Sequence, residues 1–158
     1  MKRTLIAVLA LAPTLALAQA EKPVDPYTPS NANAGAKPVE GTALLEAFHG
    51  KAGVDRIVDD FVDRITTDPR IAEIFKGHDT VRLRRTLKEQ FCYLLDGGCD
   101  YTGRDMASVH KDLGVSTAEF NFLVEDLQAA MDKEGVAFGA QNKLLAILAP
   151  MKRPVVTR

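Results

Sequence analysis

The chain has 158 residues, 26% of them charged and 46% hydrophobic, with a formal net charge of −1. That near-balance lacks the basic excess that nucleic acid or an anionic membrane selects, so neither is expected as a partner. The length suits one hydrophobic core.

The first twenty residues do not read as part of a fold. Lys2 and Arg3 precede the apolar run "LIAVLALAPTLALA", which leads into "ALAQA". A basic start, a short apolar stretch and small residues at an A-x-A site describe a secretory signal peptide over 1–20. Cleavage after Ala18 and after Ala20 fit equally well. The run is shorter than the roughly 20 apolar residues of a membrane-spanning helix, and it contains Pro13. An exported protein, periplasmic or secreted and without a stable membrane anchor, is therefore expected. Without Lys2 and Arg3, 18 basic side chains face 21 acidic ones, a formal charge of −3.

Residues 21–40, "EKPVDPYTPSNANAGAKPVE", hold four of the eight prolines and few aliphatic side chains. Such a stretch buries too little apolar surface to offset ordering, so it is expected to be a flexible linker. One domain then occupies 41–156.

From residue 41 onward the pattern is helical. "TALLEAF" predicts a short helix and "HGKAG" a glycine-containing corner. Val54, Ile57, Val58, Phe61, Val62 and Ile65 recur at three- and four-residue steps between charged residues. That spacing predicts an amphipathic helix ended near Pro69. A second long helix is predicted from Val81 to Leu95, with Leu83, Leu87 and Phe91 on one stripe and Gly97-Gly98 as its stop. Ser116 and Glu119 have capping-box spacing at the start of a third, which carries Phe120, Leu123, Val124, Leu127 and Met131 and ends at Gly135. A last helix carries Leu144, Leu145, Ile147 and Leu148 before Pro150 and Pro154 close the domain. No long alternating pattern predicts a strand. The fold class is all-α, with five or six helices and a looser stretch over 98–115.

Cys92 and Cys99 enclose "YLLDGG". In an oxidising compartment two such thiols pair as a disulfide; the alternative is two buried thiols. His110 lies in the looser stretch, with no second histidine, cysteine or carboxylate pair at metal-ligand spacing. A histidine so placed is more often structural or exposed than a ligand.

In order, "VDDFVDRI", "DPRIAEIFKG", "VRLRRTLKEQF", "YTGRDMASVH" and "LGVSTAEF" resemble the group I truncated haemoglobins over 42–156. Phe75, Tyr101-Thr102-Gly103, His110 and Leu113-Gly114-Val115 carry the resemblance by order and spacing. It implies a two-over-two helical sandwich enclosing haem, with His110 as the proximal iron ligand. A porphyrin supplies four nitrogens, so one imidazole from the protein suffices. Haem b, held non-covalently, is the cofactor implied, since no C-x-x-C-H attachment site is present. The resemblance also implies Phe75 packed on the porphyrin face, Leu83, Leu87 and Phe91 on the distal side, and Arg82 against a propionate. Met106, Val115, Phe120 and Leu127 complete the expected wall.

The distal positions depart from the family. Val62 stands where tyrosine commonly follows the phenylalanine, and Leu87 where glutamine is often found; with Leu83 they predict an apolar distal pocket. A donor to bound oxygen is worth roughly 0.5–1.5 kcal/mol, so its loss tilts selectivity away from oxygen, toward nitric oxide or carbon monoxide. Gln90 or Thr86 could replace the donor, and His78 could cap the iron. His49 has no case as a ligand, and Tyr101 is expected to pack with its hydroxyl on backbone or water. The function expected is an exported haem protein binding a diatomic gas (O2, NO or CO), with an unidentified redox partner. The alternatives are a haem enzyme of peroxidase or nitrite-reducing type, which needs a distal acid–base group, and a haem-free helical interaction module.

Overall fold

The computed structural model describes residues 20–158. The expected signal peptide, apart from Ala20, lies outside them.

Helix α1 (Ala43–Ala47) is followed by α2 (Gly50–Ile65) after a corner in which His49 takes φ +60°. Gly53 makes this corner possible, because a Cβ there would lie 2.0 Å from the carbonyl oxygen of Phe48. The buried face of α2 is the predicted stripe from Val54 to Ile65. Beyond it, the hydroxyls of Thr66 and Thr67 donate to the carbonyls of Val62 and Asp63, satisfying the orphan acceptors of the last turn. After the one-turn helix α3 (Ala72–Phe75), Asp79 caps α4 (Thr80–Leu94), its Oδ1 accepting from the N–H groups of Val81 and Arg82, both at 3.0 Å. Cys92 and Cys99 form a disulfide that folds the chain back after α4.

The stretch over 98–115 is less irregular than expected. Asp105 accepts from the N–H of Ser108 and starts a five-residue helix, α5 (Met106–His110), so His110 closes a helix rather than standing in a loop. The capping box then opens α6 (Thr117–Glu134): Glu119 donates its N–H to the Ser116 hydroxyl at 3.3 Å, and Ser116 donates its own to the Glu119 carboxylate at 2.7 Å.

After α7 (Phe138–Leu148) the prolines do not end the chain's helical structure. Pro150 occupies the first turn of a 3₁₀ segment (Ala149–Met151), and Pro154 lies in the four-residue α8 (Lys152–Val155). In a helix this short the missing N–H of Pro154 has no intrahelical acceptor to lose. Short helices such as α3, α5 and α8 take the number among the described residues to eight, above the expected five or six. They lack the two turns that a hydrophobic stripe needs to show. No strand occurs among the described residues. The core forms where α2 packs on α4 and on α6, and α6 on α7. None of the described helices is long and apolar enough to cross a membrane.

Residues 21–40, expected as a flexible linker, lie along the domain. Glu21 pairs with Arg82 and Arg85, the Tyr27 hydroxyl donates to the carbonyl of Thr102 at 2.8 Å, and Asn31 Oδ1 accepts from Tyr101 N at 2.7 Å. A 3₁₀ turn over Asn31–Ala34 then buries Ala34 completely. Composition misleads here because polar and backbone groups do the anchoring, and hydropathy does not register them.

Candidate functional site

Two adjoining cavities open between α4 and the segment from α5 to α8. The inner one, about 310 Å³, is almost wholly apolar; the outer one, about 340 Å³, is more polar. They share Ile74, Phe75, Leu83, His110 and Leu113, so together they form one slot with an apolar end and a polar end.

Helix α4 brings Leu83, Leu87, Gln90 and Phe91 to the inner cavity, at the three- and four-residue steps that place them on one face. From α5 come Met106 and His110, also one turn apart. Val115, Phe120 and Leu127 complete that wall, with Met151 from the 3₁₀ segment. Polar side chains on the inner wall are confined to Gln90, His110 and Glu119.

His110 is the chemically informative one. Its Nδ1 lies 2.8 Å from the carbonyl oxygen of Met106. A carbonyl only accepts, so Nδ1 carries the proton and Nε2 keeps its lone pair, on a side chain that lines both cavities. Burial lowers its pKa below the ordinary histidine value, against the opposing pull of the Met106 carbonyl. A neutral imidazole with Nδ1 tied to a carbonyl is oriented to ligate a metal through Nε2.

Arg82 lines the outer cavity, but its guanidinium is engaged: Nε donates to Glu21 Oε2 at 3.1 Å, and Asp79 lies 3.9 Å away. Arg104 lines the same cavity, donating to the carbonyl of Asp25 at 2.8 Å with its guanidinium carbon 5.1 Å from the centre of the Tyr27 ring. Tyr101 also reaches the outer cavity. Its hydroxyl donates to the carbonyl of Arg104 at 3.0 Å, and burial pushes its pKa up to about 12. Gly103 accommodates it, since a Cβ there would stand 2.2 Å from that hydroxyl.

Of the residues expected at the site, Phe75, Leu83, Leu87, Phe91, Met106, His110, Val115, Phe120 and Leu127 converge on the inner cavity and Arg82 on the outer. Val62 does not line either cavity. It is fully buried in the core, and α2 turns Phe61 and Ile65, one turn apart, to the slot instead. Of the possible replacement donors, Thr86 bonds back to the carbonyl of Arg82 at 2.9 Å, and Gln90 Nε2 donates to the carbonyl of Ala34 at 2.8 Å. His78 is exposed at the outer cavity, and His49 lies apart at its corner, 3.2 Å from Glu134. Sequence reasoning missed Met151, Val24 and Tyr27. The first was hidden behind a proline read as a stop, and the other two in a segment read as a tether.

Comparison with known proteins bears on the family and the fold. The model of the bacterial-like globin family matches residues 43–157. A group 1 truncated hemoglobin of Synechocystis is 33% identical over 99 residues, covering 60% of this chain and 80% of that one. Another, from Mycolicibacterium paratuberculosis, is 25% identical over 118 residues, covering 75% and 87%. Among solved structures, truncated hemoglobin from Tetrahymena pyriformis (a Q46E mutant, in the Fe(III) form) superposes with a TM-score of 0.70 at 21% identity, covering 75% of this chain and all of that one. The 2/2 hemoglobin of Synechococcus, solved with covalently attached heme, gives 0.67 at 24% identity, covering 73% and 98%.

A haem fits the residues present: one neutral imidazole on an apolar slot, with a polar end lined by Arg82 and Arg104. A fold of truncated 2/2 globin type, matched in sequence over nearly all of its helical domain, makes this chain a haem-binding member of the bacterial-like globin family.

Proposed function

We propose that the protein is exported and binds a diatomic gas at a non-covalent haem b held by His110, in a pocket that favours nitric oxide or carbon monoxide over oxygen. Haem supplies an iron coordination position for the gas. His110 presents Nε2 as the protein's ligand and is kept in that tautomer by the Met106 carbonyl. Phe75 and Phe91 line the slot with apolar surface that disfavours water.

The selectivity rests on one observation: Leu83 and Leu87 both face the inner cavity from α4. Neither can donate a hydrogen bond. Oxygen gains partial negative charge on binding and depends on such a donor more than the other two gases do, so its retention is weakened most. Gln90 does not replace the donor in this arrangement, because its amide is turned to Ala34. The absence of an acid–base group among the α4 side chains on the inner cavity also weighs against peroxidase chemistry. Export is supported by the leader-like residues 1–20 and by the Cys92–Cys99 disulfide, which persists in oxidising compartments.

The test is an optical spectrum of the purified protein, ferric and reduced, with and without carbon monoxide. A Soret band that shifts with carbon monoxide and changes in His110→Ala is expected. No Soret band after haem is added would overturn the reading, and tight oxygen retention would overturn its selectivity.

A further inference from the structure

The family match begins at residue 43, yet part of the slot's wall comes from before it. Val24 and Tyr27 line the outer cavity together with His110 and Arg82. The segment that carries them is fastened differently at its two ends. At its root, Ala34 is fully buried, its carbonyl accepts from Gln90 of the inner cavity, and Gly35 packs against Met151 so closely that a Cβ would lie 2.9 Å from its side chain. At its tip, Glu21 bridges Arg82 and Arg85, and Lys22 N donates to Asp79 Oδ2 at 2.6 Å. Between them, Tyr27 is tied to the carbonyl of Thr102, and Arg104 reaches the carbonyl of Asp25.

From this arrangement we propose that residues 21–34 form a strap belonging to the cofactor site, which closes its polar end and sets how fast haem leaves. The proposal rests on the haem reading above. The strap opens from the tip. Its fastenings there are the Glu21 ion pairs and the hydrogen bonds of Lys22, all on partly or fully exposed groups open to water and salt, whereas the root is buried against Gln90 and Met151. Local opening follows the weakest boundary of a segment, so the Glu21 end lifts while the Ala34 end stays docked. With the tip lifted, Val24 and Tyr27 leave the outer cavity and the polar edge of the slot meets solvent. The strap also decides which arginine serves the cofactor. Glu21 already occupies Arg82 with a carboxylate of the chain's own, which leaves Arg104, held by the strap's Asp25 carbonyl beside Tyr27, as the outer-cavity arginine that would serve a propionate.

The experiment is haem transfer from the ferric full chain to an excess of a haem-scavenging apoglobin, followed at the Soret band. Wild type is compared with Glu21→Ala/Tyr27→Ala, with the milder Glu21→Gln, and with Lys37→Ala, an exposed position beyond the root. Loss about tenfold faster in the double variant, with Glu21→Gln intermediate and Lys37→Ala unchanged, is expected for a fastening of this kind. Circular dichroism checks that helix content is retained. If the double variant fails to fold, Glu21→Gln alone decides. Rates within twofold of wild type in every strap variant would overturn the strap while leaving the haem reading intact. A wild-type chain that takes up no haem would overturn both.

Discussion

Leu83 and Leu87 stand one turn apart on α4 and both face the inner cavity, so that wall carries two aliphatic side chains and neither can donate a hydrogen bond. Leu87→Gln introduces a donor of similar length. On the proposed haem site its amide is expected to donate to bound oxygen, and a hydrogen bond of about 1 kcal/mol would slow oxygen dissociation five- to tenfold. Stopped-flow oxygen release from the reduced protein measures it, and carbon monoxide release should change far less.

The disulfide ties Cys92, in the last turn of α4, to Cys99, across a sequence separation of 7. Closing so short a loop removes limited freedom from the unfolded chain. Cys92→Ser/Cys99→Ser is expected to lower stability by about 2–3 kcal/mol. Urea denaturation of wild type with and without reductant should reproduce most of that difference.

Asp126, on α6, is 8% exposed, and its Oδ2 has no hydrogen-bond partner. Burial, and then the neighbouring charge of Asp68, raises its pKa above the ordinary aspartate value. A carboxyl whose pKa is higher in the folded state than in the unfolded one opposes folding when ionised. That penalty is complete above the folded pKa and vanishes below the unfolded one. Asp126→Asn is therefore expected to stabilise the protein at pH 8, on the order of 1 kcal/mol, and to lose its advantage as the pH falls through the carboxylate range. Urea midpoints at pH 8 and pH 4 test both the sign and the trend.

The capping box of α6 has the opposite sign. Hydrogen bonds from the Ser116 hydroxyl and backbone, with Arg158 adding to them, lower the pKa of Glu119. Stability from a depressed carboxylate is present above its unfolded pKa and fades as the pH drops through the folded one. Ser116→Ala should remove about 1 kcal/mol near neutral pH, and the gap from wild type should narrow under acid. Thermal melts at pH 7 and pH 3.5 check it.

The long elements were legible in the sequence because periodicity reports burial on one face, whereas His110 was singled out as a ligand only through the resemblance to truncated haemoglobins. The stripe of α2, the Leu83–Leu87–Phe91 face of α4 and the Ser116 box all stand where spacing places them. Direction around a helix was less legible. Val62 and Phe61 are adjacent and equally apolar, and only the packing of α2 decides that Phe61 faces the slot. The partner of Arg82 was hidden for another reason: Glu21 lies 61 residues away, in a segment whose composition argued against any fixed position. Nor does hydropathy foretell that Gln90 spends its amide on Ala34.

Both ends of the described chain are committed to contacts. Glu21 lies between two arginines at the front, while at the back Arg158 donates its N–H to the carbonyl of Val115, a residue of the inner cavity, and pairs with Glu119. Neither position is an inert handle for a purification tag or a fluorophore. A tag placed directly ahead of Glu21 would put new charges beside Arg82 and Arg85, and one fused after Arg158 would pull on the cap of α6. A label at Glu21 or at Arg158 would report on the site itself.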